Sequence, residues 1–322
     1  MKNEEENMNK YTKNSDVKVL YLGTPEMSAH VLEAIIEAGF TVVGVVAQED
    51  KEVGRHHEMQ SAPTKIVAEK HNIRVFTPHK IRLDYSFATK LDFDCIVCLA
   101  YGQLIPDGLL SLAKVGNINL HGSILPSYRG AAPIQRAIMD DLSTTGVSLM
   151  EMVSAMDAGK VYDVAKVSIL PNDTYTLLCS KIAEAGATLI VKDLLSYANG
   201  TLEGHEQNEK EVTFANKIKP EDEHLPLIKN CEMTIAYIRA LSETPGAYVE
   251  LGDKKLKIYH ASLYSHDVLR AVGEIIPNKK HFLIQLYDGV IELLVVQIEG
   301  KGKMDGASFL SGARLGDHAF VK

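Results

Sequence analysis

Short apolar runs that end in turns and are followed by helical patterns constrain this chain more than any other feature. Residues 17–22 (VKVLYL) are rich in branched side chains and meet Gly23, the mark of a strand entering a turn. Thr24 and Pro25 then supply a cap and a first-turn proline for a helix that runs to about residue 38 and stops at Gly39. Residues 41–47 (TVVGVVA) are almost wholly apolar, as befits a parallel strand covered on both faces. Pro63 opens another helix, and residues 73–76, 94–99 and 116–120 read as further strands. This alternation predicts an α/β fold with a doubly wound, mostly parallel, Rossmann-like sheet. Residues 147–152 and 161–169 predict an antiparallel edge to it, and residues 174–198 a long helix closed by Asn199 and Gly200.

The pattern changes after a polar connector. From residue 216 a helix near 232–241 is followed by short strands at 246–251, 256–263, 273–276, 282–286 and 291–298, separated by Gly and Asp-Gly turns. That spacing predicts a small C-terminal OB-like β-barrel. A length of 322 residues suits two domains. The expected division is a disordered polar tail at 1–16, a catalytic domain at 17–204, a linker at 205–217 and the barrel at 218–322. The tail lacks the apolar core of a secretory signal, and no run approaches the roughly 18 apolar residues of a membrane helix. Four cysteines do not form a disulfide framework and suit a reducing compartment, so a cytoplasmic protein is expected.

Charge argues mildly against a nucleic-acid partner. The net charge is −8, and from Asn216 onward 14 basic residues balance 14 acidic ones, so the whole excess lies in the first two-thirds. A neutral second domain can still bind RNA through a local patch, and Lys254, Lys255, Lys257, Lys279, Lys280, Lys301 and Lys303 offer one. Taken singly, each is better read as a solvated lysine.

Two motifs are weak. Gly23 stands without the second and third glycines of a dinucleotide fingerprint, which disfavours a nicotinamide enzyme. Cys95 and Cys98 are three apart on an apolar strand, so they face opposite sides and read as core residues.

The informative stretch is NINLHGSILPSYRGAAPIQR. It follows an apolar strand, so Asn119 and His121 lie at that strand's C-terminal end, where ligands bind in open α/β sheets. Two apart, they project to one side and offer an amide and an imidazole to a single atom. Residues Ser123, Ile124, Leu125 and Pro126 turn the chain and can line the slot of a flat ligand. Asp157, in the sequence MDAG, reads alone as a turn residue; beside the Asn-x-His pair it reads as a carboxylate delivered to the same cleft.

These segments, with TGVSLMEMVSAMDAGKVY after them, resemble the folate-dependent formyltransferase family. LYLGTPEMSAHVLEAIIEAGFTVVGVV, LAYGQLIP, TPGAY and GKGKMDGASFLSGARL also fit, so the resemblance covers nearly everything after the tail. It implies formyl transfer from 10-formyltetrahydrofolate, a co-substrate, to an amine without a metal. Asn119, His121 and Asp157 take the catalytic roles. The amide and a protonated His121 face the developing oxyanion, and the Asp157 charge favours the imidazolium. Ser123 to Pro126 face the folate, with residues 100–105 as a second wall. The barrel and a Gly54-Arg55 loop resemble those members that act on initiator methionyl-tRNA, with Arg55 and Lys65 kept from a more basic loop. The alternative acceptor is an amino-sugar nucleotide. A monomer with no membrane partner is expected.

Overall fold

The computed structural model describes residues 10–53, 58–313 and 319–322. By contacts the chain forms two compact units. One comprises residues up to Arg129 with Gly146–Val167 and Ser180–Phe214; the other comprises Gly130–Thr145, Ser168–Cys179 and Ala215–Lys322. Each unit thus gathers segments from more than one stretch of chain.

The first unit is organised by a seven-stranded sheet. Its strands are β1 (Lys18–Gly23), β2 (Thr41–Val46), β5 (Val75–Phe76), β6 (Cys95–Leu99), β7 (Gly116–His121), β8 (Thr144–Glu151) and β9 (Val161–Ser168), in the order β5-β2-β1-β6-β7-β8-β9. A small separate hairpin, β3 (Lys51–Val53) with β4 (Glu58–Gln60), follows β2. The pairings from β5 through β7 are parallel, and β8 runs antiparallel to β7. The mostly parallel, doubly wound sheet is therefore present, with the antiparallel edge where the sequence places it.

Burial explains the choice of residues. Val19, Leu20, Tyr21 and Leu22 of β1 and Cys95, Ile96 and Val97 of β6 are fully buried, as central strands covered on both faces require. The Tyr21 hydroxyl donates to the Ser28 carbonyl at 2.8 Å, so its one polar atom is satisfied inside the core. Helix α1 (Glu26–Glu37) starts one residue later than expected, with Pro25 itself at the N-cap. Gly23 cannot carry a side chain here, because a Cβ would lie 1.8 Å from Ser28 Oγ and 2.8 Å from the Leu99 carbonyl oxygen. Helix α2 (Pro63–Lys70) opens on its proline, and the one-turn α3 (Asp107–Leu110) follows β6.

The segment before β1 differs from expectation. Tyr11 is buried, and its backbone N–H and C=O both bond the side chain of Asn199, at 2.9 Å each. A large aromatic ring can repay the ordering of a polar segment, so residues 10–16 are structured rather than a tail; residues 1–9 lie outside the described residues.

The second unit contains helices α4 (Pro133–Met139), α6 (Cys231–Leu241) and α7 (Gly306–Gly312), while α5 (Tyr175–Ala198) begins in this unit and ends in the first. Its sheet is antiparallel. The strands are β10 (Ala247–Leu251), β11 (Lys254–Ser265), β12 (Ile275–Ile276), β13 (Leu283–Gln285) and β14 (Val290–Ile298), in the order β10-β11-β14-β13-β12, with β15 (Met304–Asp305) against β14. The chain's last residues join its two edges: Val321 bridges Leu251 at the end of β10, and Phe320 bridges Glu274 before β12. This turns an open sheet into a barrel-like one and hides both edges. Helix α7 and β15 lie in residues that carry no clear strand or helix period. No helix among the described residues is long and apolar enough to cross a membrane.

Candidate active site

Strand β7 carries Asn119 and His121 to the C-terminal edge of the sheet. Register places Asn119 beside Cys98 of β6 and Met150 of β8, and His121 beside Ser148. Asn119 is half-buried, and His121 is only 5% exposed. Burial, with the Asp157 charge adding to it, pushes the Cys98 thiol up to about 12, so it stays neutral beside the site. Cys95 and Cys98 are both buried free thiols, as the strand pattern predicts.

The His121 ring is fixed from both sides. Its Nε2 lies 2.9 Å from the Tyr128 carbonyl oxygen. A carbonyl only accepts, so Nε2 carries the proton and donates. Nδ1 then faces the Asp157 carboxylate at 3.7 Å. That distance exceeds a direct hydrogen bond. Among the described residues, Nδ1 is thus the ring nitrogen toward which the carboxylate is aimed.

Asp157 lies in the turn between β8 and β9, with φ 51°. Aspartate is among the few non-glycine residues that enter this left-handed region readily. The turn expected of MDAG is present, and its carboxylate faces His121. Two carbonyls of this turn, those of Asp157 and Gly159, each accept from Gln207 Nε2 at 2.8 Å.

The Ser123–Pro126 segment folds tightly beneath the pair. Ser123 N–H donates to the His121 carbonyl at 2.8 Å, and Ser123 Oγ donates to the Ser127 carbonyl at 2.6 Å. Ser148 Oγ, from β8, donates to the Ser123 carbonyl and accepts from Leu125 N–H, at 2.7 and 3.0 Å. Ser123 and Leu125 are buried, while Ile124 and Pro126 are half-buried. The Ser123 hydroxyl is thus committed to closing its own turn, and what the segment presents outward is backbone, Ile124 and Pro126.

The turn after β6 forms the neighbouring rim. The Tyr101 carbonyl accepts from Thr24 Oγ1 at 3.2 Å and from Gln48 Nε2 at 2.9 Å, which ties the ends of β1, β2 and β6 together. Ala100, the first residue of the expected second wall, has φ 51°.

Arg55 lies outside the described residues. Lys65, which falls in α2, pairs with Asp50 at 2.7 Å. On the barrel, Lys255 lies over the Tyr248 ring and Lys303 over the Tyr259 ring, at 4.1 and 3.8 Å to the centroids. Lys257 Nζ donates to the Pro245 carbonyl at 2.6 Å. Lys254, Lys279, Lys280 and Lys301 are exposed. A cavity of about 390 Å³ in the second unit, lined by Leu142, Ile169, Leu170, Ile235 and Arg239 among others, contains none of the site residues. Among the described residues, no group of three or more His, Cys, Asp or Glu is placed to hold a metal ion.

Sequence reasoning passed over Ser148, Arg129 and Gln207. Ser148 sits in a strand that reads as plain edge. Gln207 sits in the polar connector and works through backbone carbonyls, which leave no mark in a sequence.

An Asn-x-His strand end facing a carboxylate thus stands at the C-terminal edge of a doubly wound sheet, and an antiparallel barrel-like sheet follows in the chain. The chain belongs to the formyl transferase family: the formyl transferase model matches residues 17–194, and the formyl transferase C-terminal domain model matches residues 217–314. Its relatives include proteins named methionyl-tRNA formyltransferase. That of Lactobacillus acidophilus is 38% identical over 297 residues, spanning 91% of this chain and 95% of the relative. That of Staphylococcus aureus is 38% identical over 301 residues, spanning 92% and 96%. Among solved structures, an N-formyltransferase from Helicobacter canadensis, in complex with folinic acid and dTDP-3-aminofucose, superposes with a TM-score of 0.66 at 21% identity, covering 86% of this chain and 98% of that one. Methionyl-tRNA formyltransferase from Clostridium thermocellum superposes with a TM-score of 0.53 at 17% identity, covering 77% and 94%. At such identities the superpositions speak for the fold.

Proposed function

We propose that the protein transfers the formyl group of 10-formyltetrahydrofolate to the amino group of methionine on initiator methionyl-tRNA, in the cytoplasm, for translation initiation. The observation that carries the chemistry is the Asp157 carboxylate 3.7 Å from Nδ1 of a His121 whose Nε2 is already engaged. The acceptor is inferred from relatives named for methionyl-tRNA that match along nine-tenths of the chain at 38% identity.

The donor supplies the formyl group. Attack by the acceptor amine develops negative charge on the formyl oxygen. The Asn119 amide N–H and an imidazolium Nδ1–H of His121 are the donors we assign to that oxygen, in a setting where donors are worth far more than in water. Asp157 takes up the proton that the attacking amine sheds, directly or through water, and passes it to the donor nitrogen as that nitrogen's bond to the formyl carbon breaks and tetrahydrofolate leaves. The Ser123, Ile124, Leu125 and Pro126 segment, chiefly through Ile124 and Pro126, and the Ala100 turn would border the flat ring system of the donor. Residues 17–204 serve as the catalytic portion and 218–322 as the tRNA-binding portion, with Lys254, Lys279, Lys280 and Lys301 the lysines with most freedom to meet phosphates. Arg55 would contribute from its loop.

The test mixes the purified protein with 10-formyltetrahydrofolate and methionine-charged initiator tRNA and measures formylmethionine. A parallel arm offers an amino-sugar nucleotide with labelled donor. Formylmethionine in the first arm supports the proposal; label on the sugar alone overturns the acceptor.

A further inference from the structure

His121 ends β7 and Asp157 lies in the turn between β8 and β9, so something must hold them in register. The side-chain amide of Gln207 makes three bonds, and all of them bear on this pair. Its Nε2 donates to the Asp157 and Gly159 carbonyls at 2.8 Å each, and its Oε1 accepts from Arg129 Nε at 2.9 Å. Arg129 is 4% exposed, and its guanidinium also pairs with Glu209 at 2.7 Å.

Arg129 directly follows Tyr128, whose carbonyl receives the His121 Nε2 proton. The main chain here is pinned as well: Tyr128 N–H donates to Thr213 Oγ1 at 2.8 Å, and Arg129 N–H to the Thr213 carbonyl at 2.9 Å. One short path therefore runs from His121 through the Tyr128 carbonyl, the Arg129 guanidinium and the Gln207 amide to the backbone of Asp157. Asp157 sits at φ 51°, in the left-handed region that aspartate enters readily, with its carbonyl held by Gln207.

We propose that Gln207 is a positioning residue for formyl transfer: with Arg129 it forms a brace that sets the spacing between His121 and Asp157. This rests on the roles assigned to those two residues above. Gln207 donates to two turn carbonyls and couples their position to the segment that orients the imidazole. Glutamine suits the task because one planar group supplies two donors on one side and an acceptor on the other.

Gln207→Glu separates the brace from general packing. The carboxylate keeps the acceptor for Arg129 but loses both donors and faces two carbonyl oxygens. Misplacement on this scale should lower kcat roughly 10- to 100-fold. KM for donor and for acceptor should stay within about twofold, and the melting temperature within a few degrees. In an Asp157→Asn background the same substitution should cost nothing further, because residues acting through one another are not additive. If Gln207→Glu fails to fold, the near-isostere Gln207→Met carries the same comparison.

Full kcat for the Gln207 variant, with Asp157→Asn inactive, overturns the brace alone. An additive loss in the double variant, or a change confined to KM, overturns action through Asp157. Full activity of Asp157→Asn overturns the catalytic reading itself, and the brace with it.

Discussion

The Asp157 carboxylate stands 3.7 Å from His121 Nδ1 on a residue whose own backbone is at φ 51°. Charge and conformation are thus both fixed at one position, and a variant can separate them. Asparagine tolerates the left-handed region nearly as well as aspartate, whereas alanine does not. Asp157→Asn should keep the turn and the fold and lower kcat by about 10²-fold or more, as expected when a charge serving proton transfer is lost. Folate affinity should hold within about twofold. Equilibrium binding of folate beside steady-state kinetics checks this; lost binding would recast Asp157 as structural.

Asn119 has a different dependence. Its amide faces the site from the same side of β7 as His121, so its loss removes a donor without removing a charge. Asn119→Ala should cost roughly 10²–10³ in kcat, the usual effect of removing one oxyanion donor. A folded variant with a near-normal rate would remove Asn119 from that role.

Much of this was legible before any coordinates. The buried runs of β1, β2, β6 and β7 announce themselves by composition, and a two-residue spacing at a strand end places Asn119 and His121 together without further help. Asp157 was ambiguous, because an αL turn and a delivered carboxylate call for the same residue; only the Asn-x-His pair tips the reading toward the cleft. Tyr11 was missed because one aromatic in a polar stretch carries no period. Gln207 was invisible for a deeper reason. Its partners are two carbonyls and an arginine far away in the chain, and backbone acceptors are the same at every position.

Gly23 offers a test of the fold beneath the site. A Cβ there would meet a movable Ser28 Oγ at 1.8 Å but also the fixed Leu99 carbonyl oxygen at 2.8 Å. The serine can rotate; the strand cannot move without shifting its neighbours. Gly23→Ala should therefore destabilise by about 1–3 kcal/mol, the usual cost of overpacking. Urea denaturation reads this as a lower midpoint with an unchanged slope.

The barrel makes its own demand on the chain's last residues. Glu250 and Lys322 exchange two backbone hydrogen bonds of 2.6 and 2.9 Å. Val321 N–H donates to the Gly273 carbonyl at 2.9 Å, and Ile275 N–H to the Ala319 carbonyl at 2.8 Å. Val321 is buried. Deleting residues 319–322 should cost about 3 kcal/mol or more, from one buried side chain and several ladder bonds together. It should also expose two strand edges. Calorimetry gives the first effect and light scattering the second.

The last prediction concerns pH. On α5, Asp193 is 5% exposed, with Asp163 beside it and Lys192 Nζ at 3.6 Å. Burial, and then the hydrogen bond and charge of Asp163, push its carboxyl from 3.8 up to about 6. Lys192 opposes this but pairs with Asp163 as well. Between pH 3.8 and about 6 the folded chain therefore holds a proton at Asp193 that the unfolded chain releases. Stability contributed by this group is present below the lower value and falls as pH rises through the higher one. Asp193→Asn removes the titration. The variant should gain on the parent by on the order of 1–2 kcal/mol between pH 5 and pH 8. Denaturation at the two pH values checks the sign: a relative loss at pH 8 would mean that Lys192 keeps Asp193 ionised.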